Sequence, residues 1–205
     1  MYIVCSDLEG VFVPEIWISV SKHTGIDELK LTTRDISDYN VLMKRRLEIL
    51  RQNNLTIHDI QHVISYIKPL QGADEFIYWL RQQTQLIVVS DTYTEFADPI
   101  LEKLGRPTLF CNRLAIDHLG NITDYILRQD DGKKKVVDAL HDLNYKVIAI
   151  GDSYNDINML KAADMGILFK PPQKVTEHHP DLPVVNSYWE LKDLISERLG
   201  QGDQA

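Results

Sequence analysis

Two short acidic strings, each placed where an apolar run ends, constrain this chain more than anything else in it. Asp7-Leu8-Glu9-Gly10-Val11 follows Tyr2-Ile3-Val4-Cys5, and Gly151-Asp152-Ser153-Tyr154-Asn155-Asp156 follows Val147-Ile148-Ala149-Ile150. Short apolar runs of this kind read as strands of a parallel sheet. Open α/β sheets bind ligands beyond the C-terminal ends of their strands, so both strings place carboxylates at the binding edge. Carboxylates converging there repel one another unless a hard cation sits among them, and Mg²⁺ takes oxygen ligands and bridges carboxylates to phosphates. A single acid after a strand is commonplace as a helix cap. Two strings with such tight spacing point to one shared site.

Two further pieces lie between the strings. Leu86-Ile87-Val88-Val89 ends in Ser90-Asp91-Thr92, and Lys133 opens the helical stretch Lys133-Lys134-Lys135-Val136-Val137-Asp138-Ala139-Leu140. A bound phosphate needs a hydroxyl donor and a cation to balance its oxygens. Alone, Ser90 reads as a cap or turn residue and the lysine run as a solvated helix face. In order, the set Asp-x-Glu, Ser, Lys, Gly-Asp-x-x-x-Asp is specific.

That ordered set resembles the haloacid dehalogenase superfamily of Mg²⁺-dependent aspartyl phosphotransferases, and within it the phosphoserine phosphatases. Asp7 to Val11, with Pro14-Glu15-Ile16-Trp17 behind, resembles the bacterial group that joins phosphoserine phosphatase to homoserine phosphotransferase activity in serine and threonine biosynthesis. The likeness runs from Met1 to about Leu199. It implies a nucleophilic Asp7 that becomes an aspartyl-phosphate, and Mg²⁺ held by Asp7, the backbone carbonyl of Glu9, and Asp152. Asp156 is expected either to bind the ion through water or to hold Lys133. Ser90 and Lys133 would neutralise the phosphate, with Asp91 and Asn155 as further polar contacts near the phosphate or substrate. Lys133 is preferred to Lys134 and Lys135 because it lines up with the family's lysine. Glu9 is the expected general acid and then base. It departs from most of the superfamily, which carries Asp there, by one carbon–carbon step of ~1.5 Å.

Phosphoserine carries an ammonium and a carboxylate besides its phosphate. The resemblance assigns these to Glu15 and Arg46, since a guanidinium fork suits a carboxylate. Arg45 should point about 100° away around the helix. A phosphatase of sugar phosphates or phosphoglycolate would not need Glu15 and Arg46. A non-enzymatic phospho-switch would carry its phosphorylated Asp on a middle strand rather than the first.

From residue 70 onward, strand and helix signals alternate, as in an α/β doubly wound parallel sheet. Helices are predicted over 73–83 and 94–104, and strands over 86–89 and 108–111. A hairpin is predicted over 113–128, turning at Gly120-Asn121. The Lys133 helix, the 147–150 strand, a helix over 153–163 and a strand over 166–169 follow. A Pro-rich loop then leads to a last helix over 189–199. Residues 14–68 lack strand signals and read as helices over 15–24, 39–52 and 57–67, with Thr56 and Asp59 as a capping box. An insert between Pro14 and Pro69, directly after the first strand, reads as a helical cap domain (14–68) on a core of residues 1–13 and 69–205.

Bulk properties fit a metabolic enzyme of 205 residues with one core. A net charge of −8 argues against nucleic-acid and anionic-membrane partners. Cys5 and Cys111 lie in strand-like runs and are expected to be buried thiols, with neither a disulfide framework nor a zinc site. His58 and His62, one turn apart, are expected to face solvent. No apolar stretch approaches the ~18 residues of a membrane span, and Asp7 and Glu9 interrupt the apolar N-terminus, so the expected location is the cytoplasm. Residues 105–131 have two readings: an edge contact in a homodimer, or a rim of the site.

Overall fold

The computed structural model describes residues 1–32, 35, 36 and 38–202, with the side chains of 201 and 202 excepted. Residues 33, 34 and 37 of the predicted insert and 203–205 of the predicted core lie outside the described residues.

Seven strands form one sheet in the order β4-β3-β2-β1-β5-β6-β7. They are β1 (Tyr2–Ser6), β2 (Gln85–Tyr93), β3 (Thr108–Ile116), β4 (Ile122–Ile126), β5 (Lys146–Gly151), β6 (Met165–Phe169) and β7 (Val184–Val185). All neighbours are parallel except the β3–β4 hairpin. In β1, Val4 stands opposite Leu86 on one side and Ile148 on the other. Alternation sorts the strands onto two faces. Tyr2, Val4, Ile148 and Ile150 pack on one side, while Ile3, Cys5, Val147 and Ala149 pack on the other. The second side is covered by α6 (Gly132–Asp142), α7 (Ile157–Ala162) and α8 (Gln173–His178). The first is covered by α4 (Ala73–Gln83), α5 (Thr94–Lys103) and α9 (Tyr188–Gly202). Burial on both faces is why β1 carries five apolar or small residues in a row.

The segment between β1 and α4 forms α1 (Ile16–Thr24), a 3-10 turn (Asp27–Lys30), α2 (Tyr39–Gln52) and α3 (Ile57–Ser65). Its outgoing and returning chains run side by side, Leu70 N–H donating to Phe12 C=O at 2.8 Å. Val20, Met43 and Ile60 belong to the same apolar cluster as Phe76 and Phe96. Thr56 and Asp59 form the expected capping box on α3. Pro99 lies inside α5 and cannot donate to the Glu95 carbonyl one turn back. Gln61 of α3 fills that vacancy, donating to Glu95 C=O at 2.9 Å.

The structure departs from the sequence reading in several places. The strand predicted over 108–111 and the first arm of the hairpin predicted over 113–128 are one strand, β3. The strand predicted over 86–89 continues to Tyr93 through a register shift. The helix predicted to 67 stops at Ser65. The one predicted over 153–163 begins as a 3-10 turn (Tyr154–Asp156), because the Asp156 carboxylate accepts the Asp152 and Ser153 N–H groups. The Pro-rich loop holds α8 and β7. Pro172 caps α8, a position where its missing N–H costs nothing. Cys111 is half-buried, since the pairing with β4 begins only at Arg113 and leaves this part of β3 at the sheet edge. His58 and His62 are exposed, as expected. No helix among the described residues is long and apolar enough to cross a membrane.

Candidate active site

A cleft of about 550 Å³ opens at the C-terminal edge of β1, β2 and β5 and is roofed by α1 and α2. Asp7 is the first residue past β1, and its N–H extends the ladder to Ile150 C=O at 2.9 Å. Its Oδ1 accepts the Leu8 N–H at 2.8 Å, and its Oδ2 lies 3.0 Å from Lys133 Nζ. Lys133, in the first turn of α6, also donates to Asp156 Oδ1 at 2.8 Å and lies 3.6 Å from Asp91 Oδ2. Asp7, Lys133 and Asp156 are all buried. Both expected roles of Asp156 are geometrically open, because it holds Lys133 and stands beside the other acids.

Glycines permit this crowding. Gly10 has φ +77°, and a Cβ there would strike the Asp152 carboxylate. A Cβ on Gly151 would strike the side chain of Asp156.

Burial raises the Asp7 carboxyl well above the usual range; Lys133 pulls it down, while Asp156, Asp152 and Asp91 push it up again. Burial works against the Lys133 ammonium, yet Asp156, Asp7 and Asp91 outweigh it and hold its pKa well above the ordinary value. One ammonium faces four carboxylates, so the centre is short of positive charge. Ligand oxygens of Asp7, Asp152 and Asp156 lie within 4.8 Å of one another. An all-oxygen, buried, electron-rich set of this kind fits a hard divalent cation.

Ser90 and Asp91 sit in the irregular stretch of β2, where a register shift re-aims side chains. Ser90 is buried, and its Oγ accepts the Thr92 N–H at 3.2 Å. Asp91 Oδ2 accepts from Asn155 Nδ2 at 2.9 Å, closing the mouth between β2 and the loop after β5. Lys134 is bound to Asp138 at 2.6 Å on the outer face of α6, which leaves Lys133 as the cleft lysine.

Glu9 reaches the other way. Its Oε2 accepts the Ile16 N–H at 2.7 Å and so caps α1, and its side chain is not in the three-acid group. The extra methylene relative to Asp lets the carboxyl span from the β1 edge to the insert. Burial, then Glu15, pushes Glu9 up to about 8, against the Ile16 bond, Arg46 and Lys133. Glu15 occupies the N-cap position of α1 and lines the cleft without a side-chain cap bond. Arg46 is buried and lies over the Trp17 ring at 4.6 Å. Its Nη2 donates to Leu31 C=O at 2.7 Å and its Nη1 approaches Met43 Sδ at 3.5 Å. Burial lowers the Arg46 pKa, partly offset by Tyr39 and Glu9. Both Nη atoms are therefore engaged within the insert, and the buried Nε has no hydrogen-bond partner among the described residues. Arg45 is exposed and pairs with Glu28 at 3.1 Å.

All ten residues singled out from the sequence, except the fully enclosed Asp156, line this one cleft. Sequence reasoning missed Trp17, Tyr39, Leu42 and Tyr93, which form its aromatic and apolar wall. The spacing of Tyr39, Leu42 and Arg46 along one helical face was the available signal. Leu127, Asp130 and Asp131 line the cleft too, in keeping with the rim reading of 105–131.

A parallel sheet with an acid past its first strand, a buried lysine and a second acidic loop defines the haloacid dehalogenase-like hydrolases. Residues 14–164 match the model of that family, and the chain belongs to it. It is 53% identical over 192 residues to the phosphoserine phosphatase ThrH of Pseudomonas aeruginosa, covering 94% of each chain. It is 52% identical over 190 residues to a phosphoserine phosphatase of Pseudomonas syringae pv. tomato, covering 93% of this chain and 80% of that one. Among solved structures, a substrate-bound phosphoserine phosphatase complex superposes with a TM-score of 0.74 at 21% identity, covering 95% of this chain and 97% of the other. That likeness supports the fold.

Proposed function

We propose that the chain is a Mg²⁺-dependent phosphoserine phosphatase that forms a phosphoaspartyl intermediate on Asp7 and also passes the phosphoryl group to homoserine. The observation that carries the reading is Lys133, buried and joined to Asp7 and Asp156, in a cleft whose opposite wall holds Glu15 and Arg46. The two Pseudomonas relatives, both named phosphoserine phosphatases, support the substrate class. Asp7, Asp152, Asp156 and the Glu9 carbonyl would hold Mg²⁺, which when bound supplies charge to offset the phosphoryl oxygens.

Asp7 is pinned through both oxygens, so it meets phosphorus in a fixed orientation. Its carboxylate bonds to phosphorus as the seryl P–O bond breaks, and Glu9 gives its proton to the departing seryl oxygen. Glu9, now ionised, takes the proton of the incoming hydroxyl as that oxygen displaces Asp7 from phosphorus. Ser90 and Lys133 donate to the phosphoryl group in both steps, with Asp91 and Asn155 framing the entrance. Arg46 and Glu15 hold the carboxylate and ammonium. Because these partners remain after serine leaves, homoserine can occupy the same place and present its hydroxyl at a high effective concentration. Residues 14–68 act as a cap domain on the core, a reading supported by the paired crossing at Phe12 and Leu70.

Phosphate release tests this over phosphoserine, sugar phosphates and phosphoglycolate, with Mg²⁺ and with a chelator. Phosphoserine should be preferred, the chelator should stop turnover, and added homoserine should yield phosphohomoserine while free phosphate falls. Free phosphate alone at saturating homoserine would reduce the enzyme to a plain phosphatase. A preference for a sugar phosphate would overturn the substrate.

A further inference from the structure

Tyr39 and Tyr93 have no part in the chemistry above, yet their hydroxyls meet at 2.7 Å across 54 positions of sequence. Tyr39 opens α2 in the insert, whereas Tyr93 ends β2 in the core and is fully buried. The Tyr39 hydroxyl also lies 3.4 Å from the Asp91 carbonyl. Its ring meets Tyr125 of β4 edge-on at 5.8 Å, and the Tyr125 hydroxyl donates to Asn40 Oδ1 at 2.7 Å. The first turn of α2 is thus tied to two strands of the sheet.

Two turns along the same face of α2, about 10.5 Å by helical rise, stands Arg46. That residue is fixed at its own end by the Leu31 carbonyl and the Trp17 ring. A helix held at its first turn to the core behaves as a rigid arm, and the cleft lies beneath it. We propose that the Tyr39–Tyr93 hydroxyl bond sets the distance between Arg46 and the Asp7–Lys133 centre, which makes both tyrosines positioning residues for the substrate's carboxylate. This rests on the role given to Arg46 above. Burial pushes the Tyr39 hydroxyl up to about 12, opposed by the Tyr93 bond, so the tie stays protonated at neutral pH.

Tyr39→Phe, Tyr93→Phe and the double variant test this with phosphoserine and with para-nitrophenyl phosphate, which has no carboxylate. Each single variant should raise KM for phosphoserine about fivefold, equivalent to ~1 kcal/mol at about 1.4 kcal/mol per decade. Turnover of bound phosphoserine and hydrolysis of the aryl phosphate should change far less than the phosphoserine KM, because Phe keeps each ring in the cleft wall. The double variant should be no worse than Tyr39→Phe, which alone removes the shared bond together with the longer contact to the Asp91 carbonyl. Multiplying effects, an equal loss on the aryl phosphate, or unchanged KM would each overturn the proposal. If Tyr93→Phe melts early by circular dichroism, Tyr39→Phe removes the same bond from the half-buried side. A wild-type enzyme with no preference for phosphoserine over the aryl phosphate sinks the Arg46 reading. A preference kept intact in all three variants sinks only the tyrosine tie.

Discussion

Lys133→Met keeps most of the apolar stem of the side chain and removes the ammonium, with its charge and its hydrogen bond to Asp156, so it probes the electrostatics of the centre. In the wild type the ammonium lies 2.8 Å from Asp156, 3.0 Å from Asp7 and 3.6 Å from Asp91. Breaking a buried pair by removing one partner costs about 3–5 kcal/mol. Asp156 keeps two backbone N–H donors and Asp7 keeps one, which places the expected loss at the lower end, ~3 kcal/mol. With an unfolding entropy of about 2.1 cal/mol/K per residue over 205 residues, that loss lowers Tm by ~7 °C in metal-free buffer. Asp7 is already held above the usual carboxylate range, and without Lys133 only the Leu8 N–H still opposes that rise. A raised native pKa stabilises below the unfolded value of about 3.9 and loses that contribution as pH rises through the native one. The deficit should therefore be small near pH 4 and full near pH 7. Saturating Mg²⁺ should recover part of it. Melts by circular dichroism at both pH values, with Mg²⁺ and with a chelator, check this. An unchanged or raised metal-free Tm at pH 7 would refute the account of the centre.

Three other outcomes are expected. Glu9→Gln keeps an acceptor for the Ile16 N–H but cannot transfer a proton, so kcat on phosphoserine should fall by about 10²–10⁴ with Tm little changed; a loss below tenfold in steady-state assays would remove Glu9 from proton transfer. Arg46→Ala should weaken phosphoserine binding by about 2–4 kcal/mol and scarcely alter hydrolysis of para-nitrophenyl phosphate; equal losses would make Arg46 a support of the insert. Asp164 accepts from Val147 N–H at 2.8 Å and pairs with His141 at 2.9 Å, which outweighs its burial and holds its pKa below the usual value. Asp164→Asn should accordingly cost about 1 kcal/mol in urea unfolding at pH 7, a figure reduced for solvent screening. That difference should fade as pH falls below the unfolded carboxylate pKa of about 3.9.

The centre was legible because its parts announce themselves locally. Asp7 and Asp152 follow short apolar runs rich in β-branched residues, which read as buried strands, and Lys133 starts a helix at the matching edge. The insert was legible from its helical periodicity and the prolines around it. Tyr39 and Tyr93 were not, because an aromatic residue at a helical or strand spacing packs into a core far more often than it lines a cleft. Nor could sequence show that the Arg46 fork is partly engaged by the Leu31 carbonyl, 15 residues earlier. The bond from Gln61 to the carbonyl that Pro99 leaves free depends on two helices meeting, which no local pattern encodes. α8 and β7 were hidden by prolines that read as loop but in fact cap a helix and flank an edge strand.

The central claim is a covalent phosphoryl group on Asp7. The most direct test mixes enzyme, Mg²⁺ and phosphoserine carrying labelled phosphorus, quenches with acid within one turnover, and maps the label by peptide mass spectrometry. The label should sit on the peptide bearing Asp7, be released by hydroxylamine as acyl phosphates are, and be absent in Asp7→Asn, which should also show no turnover. Turnover without any labelled protein, joined to activity in Asp7→Asn, would mean that water attacks phosphorus directly.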